Sequence, residues 1–170
     1  MIGLREIKTT DLIKIQEIAR TTWPNAYGHL IPMEQLNYML DLIYNEPALK
    51  NQWVENGHHF LLAERDGQSL GFCSYELNYN RQPELMIHKL YLLPIAQGLG
   101  IGTRFIQYLM DTARMNNQSI LRLNVYYENI KAIRFYEKNG FIKTGTESKD
   151  IGHNYIILDH VMEKRVSPSL

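Results

Sequence analysis

Apolar positions along the chain recur with two periods, and the changes between them mark out its elements. Ile2, Leu4 and Ile7 suggest a short opening strand, and Thr10 and Asp11 then offer N-cap oxygens to a helix on which Leu12, Ile15, Ile18 and Ala19 recur at helical spacing. Residues 23–32 contain two prolines and a glycine, so they are expected to form an aromatic-rich loop rather than one regular element. Leu36, Met39, Leu40 and Ile43 mark a second amphipathic helix, and Pro47 opens a short third one that runs to about residue 55, where Asn56-Gly57 ends it.

From His58 the pattern becomes strand-like. Phe60, Leu61, Leu62 and Ala63 lead to Asp66-Gly67, a hairpin turn, and then to the run 70–77. Residues 85–93 are apolar enough for a central strand, which Pro94 stops just before a glycine-rich segment. Phe105, Ile106, Leu109, Met110 and Ala113 repeat as a helix that begins at or just inside those glycines. Strand character returns at 120–126, helix at 130–138 with Asn139-Gly140 as its stop, and strand at 141–146 and 155–161.

The glycine segment is where chemistry first shows. Gln97-Gly98-Leu99-Gly100-Ile101-Gly102-Thr103 places three glycines at alternate positions at a helix start, where unpaired amides and the helix dipole favour an anion. A side chain there would block close approach to the backbone. A P-loop would end Gly-Lys-Ser/Thr, whereas this segment ends Gly102-Thr103-Arg104; a dinucleotide fingerprint would need glycine or alanine at Thr103 and an earlier place in the chain. A phosphate-bearing ligand fits, and so does a tight turn that only lets a helix pack closely.

Downstream residues separate the two readings. Leu90-Tyr91-Leu92-Leu93-Pro94 followed by Gln97-x-x-Gly100-x-Gly102 resembles the central acetyl-CoA motif of the GNAT (Gcn5-related N-acetyltransferase) superfamily. Asn124-Val125, then Asn129-x-x-Ala132-x-x-x-Tyr136-x-x-x-Gly140-Phe141, resembles that family's second characteristic segment. The likeness covers about residues 58–163. It implies an α+β (α/β) GNAT fold: a mixed central sheet of about 6–7 strands, flanked by helices and splayed between the fourth and fifth strands.

The resemblance also implies roles. The amides of Gly98, Leu99, Gly100, Ile101, Gly102 and Thr103, with Gln97, would hold the pyrophosphate of acetyl-CoA, and the edge of Leu90, Tyr91 and Leu92 would pair with the pantetheine arm. Asn129 matches a position that hydrogen-bonds the cofactor arm, and is also placed to cap a helix. Tyr136 matches the tyrosine that protonates departing CoA; its alternative is a buried tyrosine with a satisfied hydroxyl. Acyl transfer to an amine also needs a base. His88 lies where related sequences often carry glutamate, and histidine as a residue type titrates near neutral pH, but a structural histidine, Glu84, Glu76 or a water relay stand beside it.

Acceptor choice in the family comes from the early helices and their loop. The pattern around residues 23–38, with the ending 144–164, is similar to the PaiA group of polyamine acetyltransferases. Trp23, Tyr27 and Tyr38, with Glu34, could receive a cation, or could form a packed lid. Three functions therefore stand: acetylation of a small-molecule amine such as a polyamine, acetylation of protein N-termini or lysines, and a noncatalytic CoA-binding regulatory module.

Composition bounds the rest. Lys plus Arg equals Asp plus Glu at 18 each, so no overall field draws the chain to nucleic acid or an anionic membrane. Cys73 is the single cysteine, which excludes an internal disulfide, and is expected to be a small buried strand residue. With a mixed opening stretch and no apolar run near the roughly 18–20 residues that span a bilayer, a cytoplasmic protein is expected. His58-His59 lacks a third ligand at metal spacing, so no metal is expected. The length suits one domain over residues 1–165 with a disordered tail at 166–170, and the resemblance carries the expectation of a homodimer.

Overall fold

A computed structural model describes residues 1–168. Seven strands form one mixed sheet in the order β1-β2-β3-β4-β5-β7-β6, flanked by five α-helices. The chain divides into two compact units, residues 1–76 with 89–105 and residues 77–88 with 106–170. The fourth strand is common to both.

In the first unit, β1 (Gly3–Glu6) pairs antiparallel with β2 (His59–Arg65), and β2 with β3 (Gln68–Glu76). Asp66 and Gly67, at φ 52° and 80°, make the tight hairpin turn expected from the Asp-Gly pair. Helices α1 (Leu12–Tyr27), α2 (Met33–Tyr44) and α3 (Glu46–Lys50) precede the hairpin. Asn45 caps α3 by accepting from Ala48 N–H at 2.8 Å. Ile15, Leu36, Leu49, Phe60, Leu62 and Phe72 are fully or nearly fully buried.

Two local expectations are corrected here. Residues 23–27 are the last turns of α1, not a loop, with Pro24 inside the helix. Proline leaves the carbonyl of Arg20 without its usual partner. Asn25 donates its side-chain amide to the Thr21 carbonyl at 3.1 Å, and burial of Trp23 holds the turn against the core. Asp11 does not cap α1. It accepts from Lys8 N–H at 2.8 Å and pairs with Arg5 at 2.7 Å and Lys14 at 3.1 Å, while Arg5 also reaches Glu64 at 2.7 Å.

The second unit holds the first half of β4 (Glu84–Leu92), most of α4 (Ile101–Met115), then β5 (Ile120–Tyr126), α5 (Ile130–Lys138), β6 (Ile142–Asp150) and β7 (Ile156–Arg165). β4 and β5 pair in parallel from Glu84↔Ile120 to Ile87↔Leu123. The ladder stops there although both strands continue. β7 inserts between β5 and β6, antiparallel to both, with a register shift between Lys143 and Gly145 on β6. In the segment expected to be a tail, Val166 N–H donates to Ser119 O at 2.9 Å and Ser167 O accepts from Arg114; positions 169–170 lie outside the described residues. Among the described residues no helix is long and apolar enough to cross a membrane.

Candidate active site

The glycine turn is built as its sequence requires. After β4, Pro94–Ala96 forms a 3₁₀ turn, and Gly98 and Gly100 take φ of 79° and 74° before α4 begins at Ile101. Non-glycine residues adopt that conformation at a cost. A Cβ built on either glycine would meet nothing within 4 Å, so their faces are open. Arg104 N–H donates to Gly100 O at 3.1 Å and closes the first helical turn; the amides ahead of it stand at a helix start, where no intrahelical acceptor exists. An open cradle of amides at the positive end of a fifteen-residue helix suits a pyrophosphate.

The half of β4 leading into this turn carries Leu90, Tyr91 and Leu92, all half-buried. β3 approaches it so closely at Gly71 that a Cβ there would lie 2.6 Å from Tyr91 O. Tyr91 meets the aromatic residues expected to touch an acceptor. Its hydroxyl is 3.0 Å from that of Tyr27, and its ring is 5.9 Å from Trp23. Trp23 is 4% exposed and packs edge-on to Tyr27 and Tyr44. Tyr38, on α2, is half-buried. Cys73 is fully buried, and burial pushes its thiol well above the usual range, so it is no nucleophile.

In the second unit, Asn129 caps α5, accepting from Ala132 N–H at 3.3 Å. Tyr136 lies on the buried side of α5, 9% exposed, its ring 5.1 Å from Phe135 and 5.5 Å from Phe141. His88 is half-buried on β4, edge-on to Tyr79 at 5.9 Å.

Sequence reasoning missed one polar face. On β5, Arg122, Asn124 and Tyr126 alternate with buried Leu121, Leu123 and Val125 and so share a side of the sheet. Opposite them on β7 stand Glu163, Val161 and Asp159, and opposite Asp159 on β6 stands Glu147. Arg122 donates to Glu147 at 2.7 Å and lies 3.4 Å from Glu163; Asn124 Nδ2 donates to the other Glu147 oxygen at 2.7 Å. That bond fixes the Asn124 amide orientation and leaves Oδ1, itself buried, without a hydrogen-bond partner. Burial lifts the Asp159 carboxyl to about 6; Lys149 opposes the shift and Glu147 adds to it. The alternation of β5 was visible in sequence, but its partners were not, because they depend on β7 entering between β5 and β6.

The model of the acetyltransferase (GNAT) family matches residues 13–141, from the first helix through the glycine turn to the end of α5. The chain belongs to the GNAT family of acetyltransferases. Among its relatives is a spermidine N(1)-acetyltransferase of Thermoplasma acidophilum, 29% identical over 88% of this chain and 93% of that protein. Another is the peptidyl-lysine N-acetyltransferase YiaC of Escherichia coli, 30% identical over 81% and 82%. The crystal structure of PaiA N-acetyltransferase from Thermoplasma acidophilum in complex with coenzyme A superposes with a TM-score of 0.78, at 22% identity over 97% of this chain and 99% of that one. At that identity the likeness concerns the fold. It matches the GNAT fold expected from the two motifs.

Proposed function

We propose that this chain moves an acetyl group from acetyl-CoA to a primary amine carried by a small cationic molecule such as a polyamine. The observation that carries the reading is the glycine cradle, with Gly98 and Gly100 at positive φ and open-faced ahead of α4. Its amides fit the pyrophosphate of acetyl-CoA, Gln97 flanks them, and the edge of Leu90, Tyr91 and Leu92 is offered to the pantetheine arm. Asn129 caps α5 and in that position can also meet the arm.

Attack by the amine on the thioester needs a proton removed from the acceptor and one supplied to the leaving sulfur. Tyr136 is the proposed acid. Its phenol belongs to the helix that follows the open end of β5, and no covalent enzyme intermediate is needed. Tyr27 and Tyr38 are the aromatic side chains proposed to receive the cation, with Trp23 packed edge-on against Tyr27. His88 is the base expected from sequence.

A second reading, acetylation of protein lysines or N-termini, is favoured by the peptidyl-lysine acetyltransferase among the relatives. Release of free thiol from acetyl-CoA, followed across polyamines, amino acids, aminoglycosides and short lysine peptides, separates the readings. Turnover with polyamines supports the first, and preference for peptides the second. Acetyl-CoA binding with silence across the panel would indicate a CoA-binding regulatory module, and failure to bind acetyl-CoA would overturn all three.

A further inference from the structure

The face of β5, β7 and β6 described above has groups that neither the cofactor cradle nor α5 uses. Tyr126, Asp159 and Glu147 are direct neighbours across the three strands, forming one row. The next row inward is Asn124, Val161 and Gly145, with Val161 buried. Arg122 and Glu163 close the far side. Both rows lie where β5 has run past the end of its ladder with β4 at Leu123. Asn124 Oδ1, a buried hydrogen-bond acceptor with no donor, belongs to the same face as three carboxylates.

This set has the chemistry of a primary ammonium site. An ammonium has three N–H donors and no acceptor, and Asn124 Oδ1, Asp159 and Glu147 are acceptors for them. Arg122 pairs with Glu147 and Glu163, while the cation that acts on Asp159 is Lys149 on β6. Resting on the acetyltransferase reading, we propose that Asp159 binds the acceptor ammonium and removes its proton, with Glu147 and Asn124 as positioning residues. An N–H bond of the ammonium breaks and its proton passes to the Asp159 carboxylate. The neutral nitrogen then bonds to the thioester carbonyl carbon and the C–S bond breaks. The departing thiolate takes a proton from Tyr136, which regains one from the acylated nitrogen, and Asp159 releases its own to solvent.

The acid strength suits the task. A carboxyl at about 6 is ionised at neutral pH yet basic enough to share a proton with an amine that is held beside it and partly desolvated. The groups facing Asp159 from the flanking strands are Tyr126 on β5 and Glu147 and Lys149 on β6. The hydroxyl of Tyr126, pushed up to about 12 by burial, stays protonated throughout the working range. His160 follows Asp159 but points to the opposite face.

The test is steady-state kinetics of Asp159→Asn and Glu147→Gln with the best amine from the panel, from pH 5 to 9, with acetyl-CoA binding measured alongside. Asp159→Asn should lower kcat/KM for the amine by roughly 100-fold or more and abolish the acidic limb of the profile near pH 6, while acetyl-CoA affinity is kept. Glu147→Gln should move that limb to lower pH, because a neighbouring negative charge is removed. An Asp159→Asn enzyme that binds acetyl-CoA normally and keeps both its kcat/KM and its acidic limb overturns the inference and leaves the acetyltransferase reading standing. A wild-type enzyme inert towards every amine overturns that reading instead. Should Asp159→Asn fail to fold, an unmoved limb in Glu147→Gln overturns the inference by itself.

Discussion

The hydroxyls of Tyr27 and Tyr91 lie 3.0 Å apart, joining the last turn of α1 to the half of β4 that leads into the glycine turn. The proline in that turn of α1 makes the link consequential. Pro24 removes a helical hydrogen bond just where Tyr27 must be held, so packing of Trp23 and the tyrosine pair supply what the backbone lacks. Trp23→Ala is therefore expected to cost about 3–5 kcal/mol, as for a buried aromatic, and Tyr27→Phe about 1 kcal/mol, both by urea unfolding. A Trp23→Ala protein of unchanged stability with weakened acceptor affinity would make Trp23 a substrate contact and not a wall.

The glycine turn should separate cofactor affinity from acceptor affinity. Gly100 stands at φ 74° with open space where a side chain would project. Gly100→Ala forces an L-residue into the left-handed region at about 1–2 kcal/mol and puts a methyl group on the open face. Loss of one amide contact to a charged phosphate, about 1.5–3 kcal/mol, corresponds to roughly 10- to 100-fold in acetyl-CoA KM. The acceptor KM should stay within about threefold. Equal loss for both substrates would mean the turn supports the fold and not the cosubstrate.

What could be read in the sequence follows the range over which each signal acts. The β5 and α5 boundaries, the Asp66-Gly67 turn and the stop at Gly140 rest on period and turn chemistry within a few residues. Pro24 was misjudged because local propensity ends helices at proline, whereas tertiary burial of Trp23 outweighs it. Asp11 read as a cap because its bond to Arg5 depends on where β1 sets that guanidinium, which Glu64 on β2, 59 residues from Arg5, also holds. For the site, the cradle was legible as a local motif. Asp159 and Glu147 were not, since their facing Tyr126 and Asn124 depends on strand order and on the register shift in β6.

That same Asp11 network makes acid sensitivity of the first unit predictable. Arg5 holds the Asp11 carboxyl well below the usual carboxylate range and Glu64 at about 2. A depressed carboxylate favours the folded state above the pKa of about 4 that it has when unfolded, and that contribution is lost as pH falls through the folded value. Wild-type stability should therefore fall steeply between about pH 4.5 and 2, and Asp11→Asn should show a shallower fall. At neutral pH Asp11→Asn should be less stable by about 2–3 kcal/mol, since Asp11 is 4% exposed and loses charged hydrogen bonds. Denaturation midpoints measured across that range decide it; parallel curves for the two proteins would show that the network does not govern acid unfolding.

Two substitutions in the second unit divide acid from base. Tyr136→Phe keeps the ring against Phe135 and Phe141 and removes only the hydroxyl, so folding should change by about 1 kcal/mol while kcat falls roughly 100-fold. If Tyr136 acts on the leaving thiolate, acetyl donors with more acidic thiols should recover much of that loss, because a good leaving group needs no proton. His88→Ala removes an edge contact with Tyr79 and, with Asp159 as the base, should leave the acidic limb of the pH profile in place. Disappearance of that limb in His88→Ala, together with its survival in Asp159→Asn, would assign the base to His88. Tyr136→Phe with unaltered turnover for every donor would mean that the sulfur takes its proton from water.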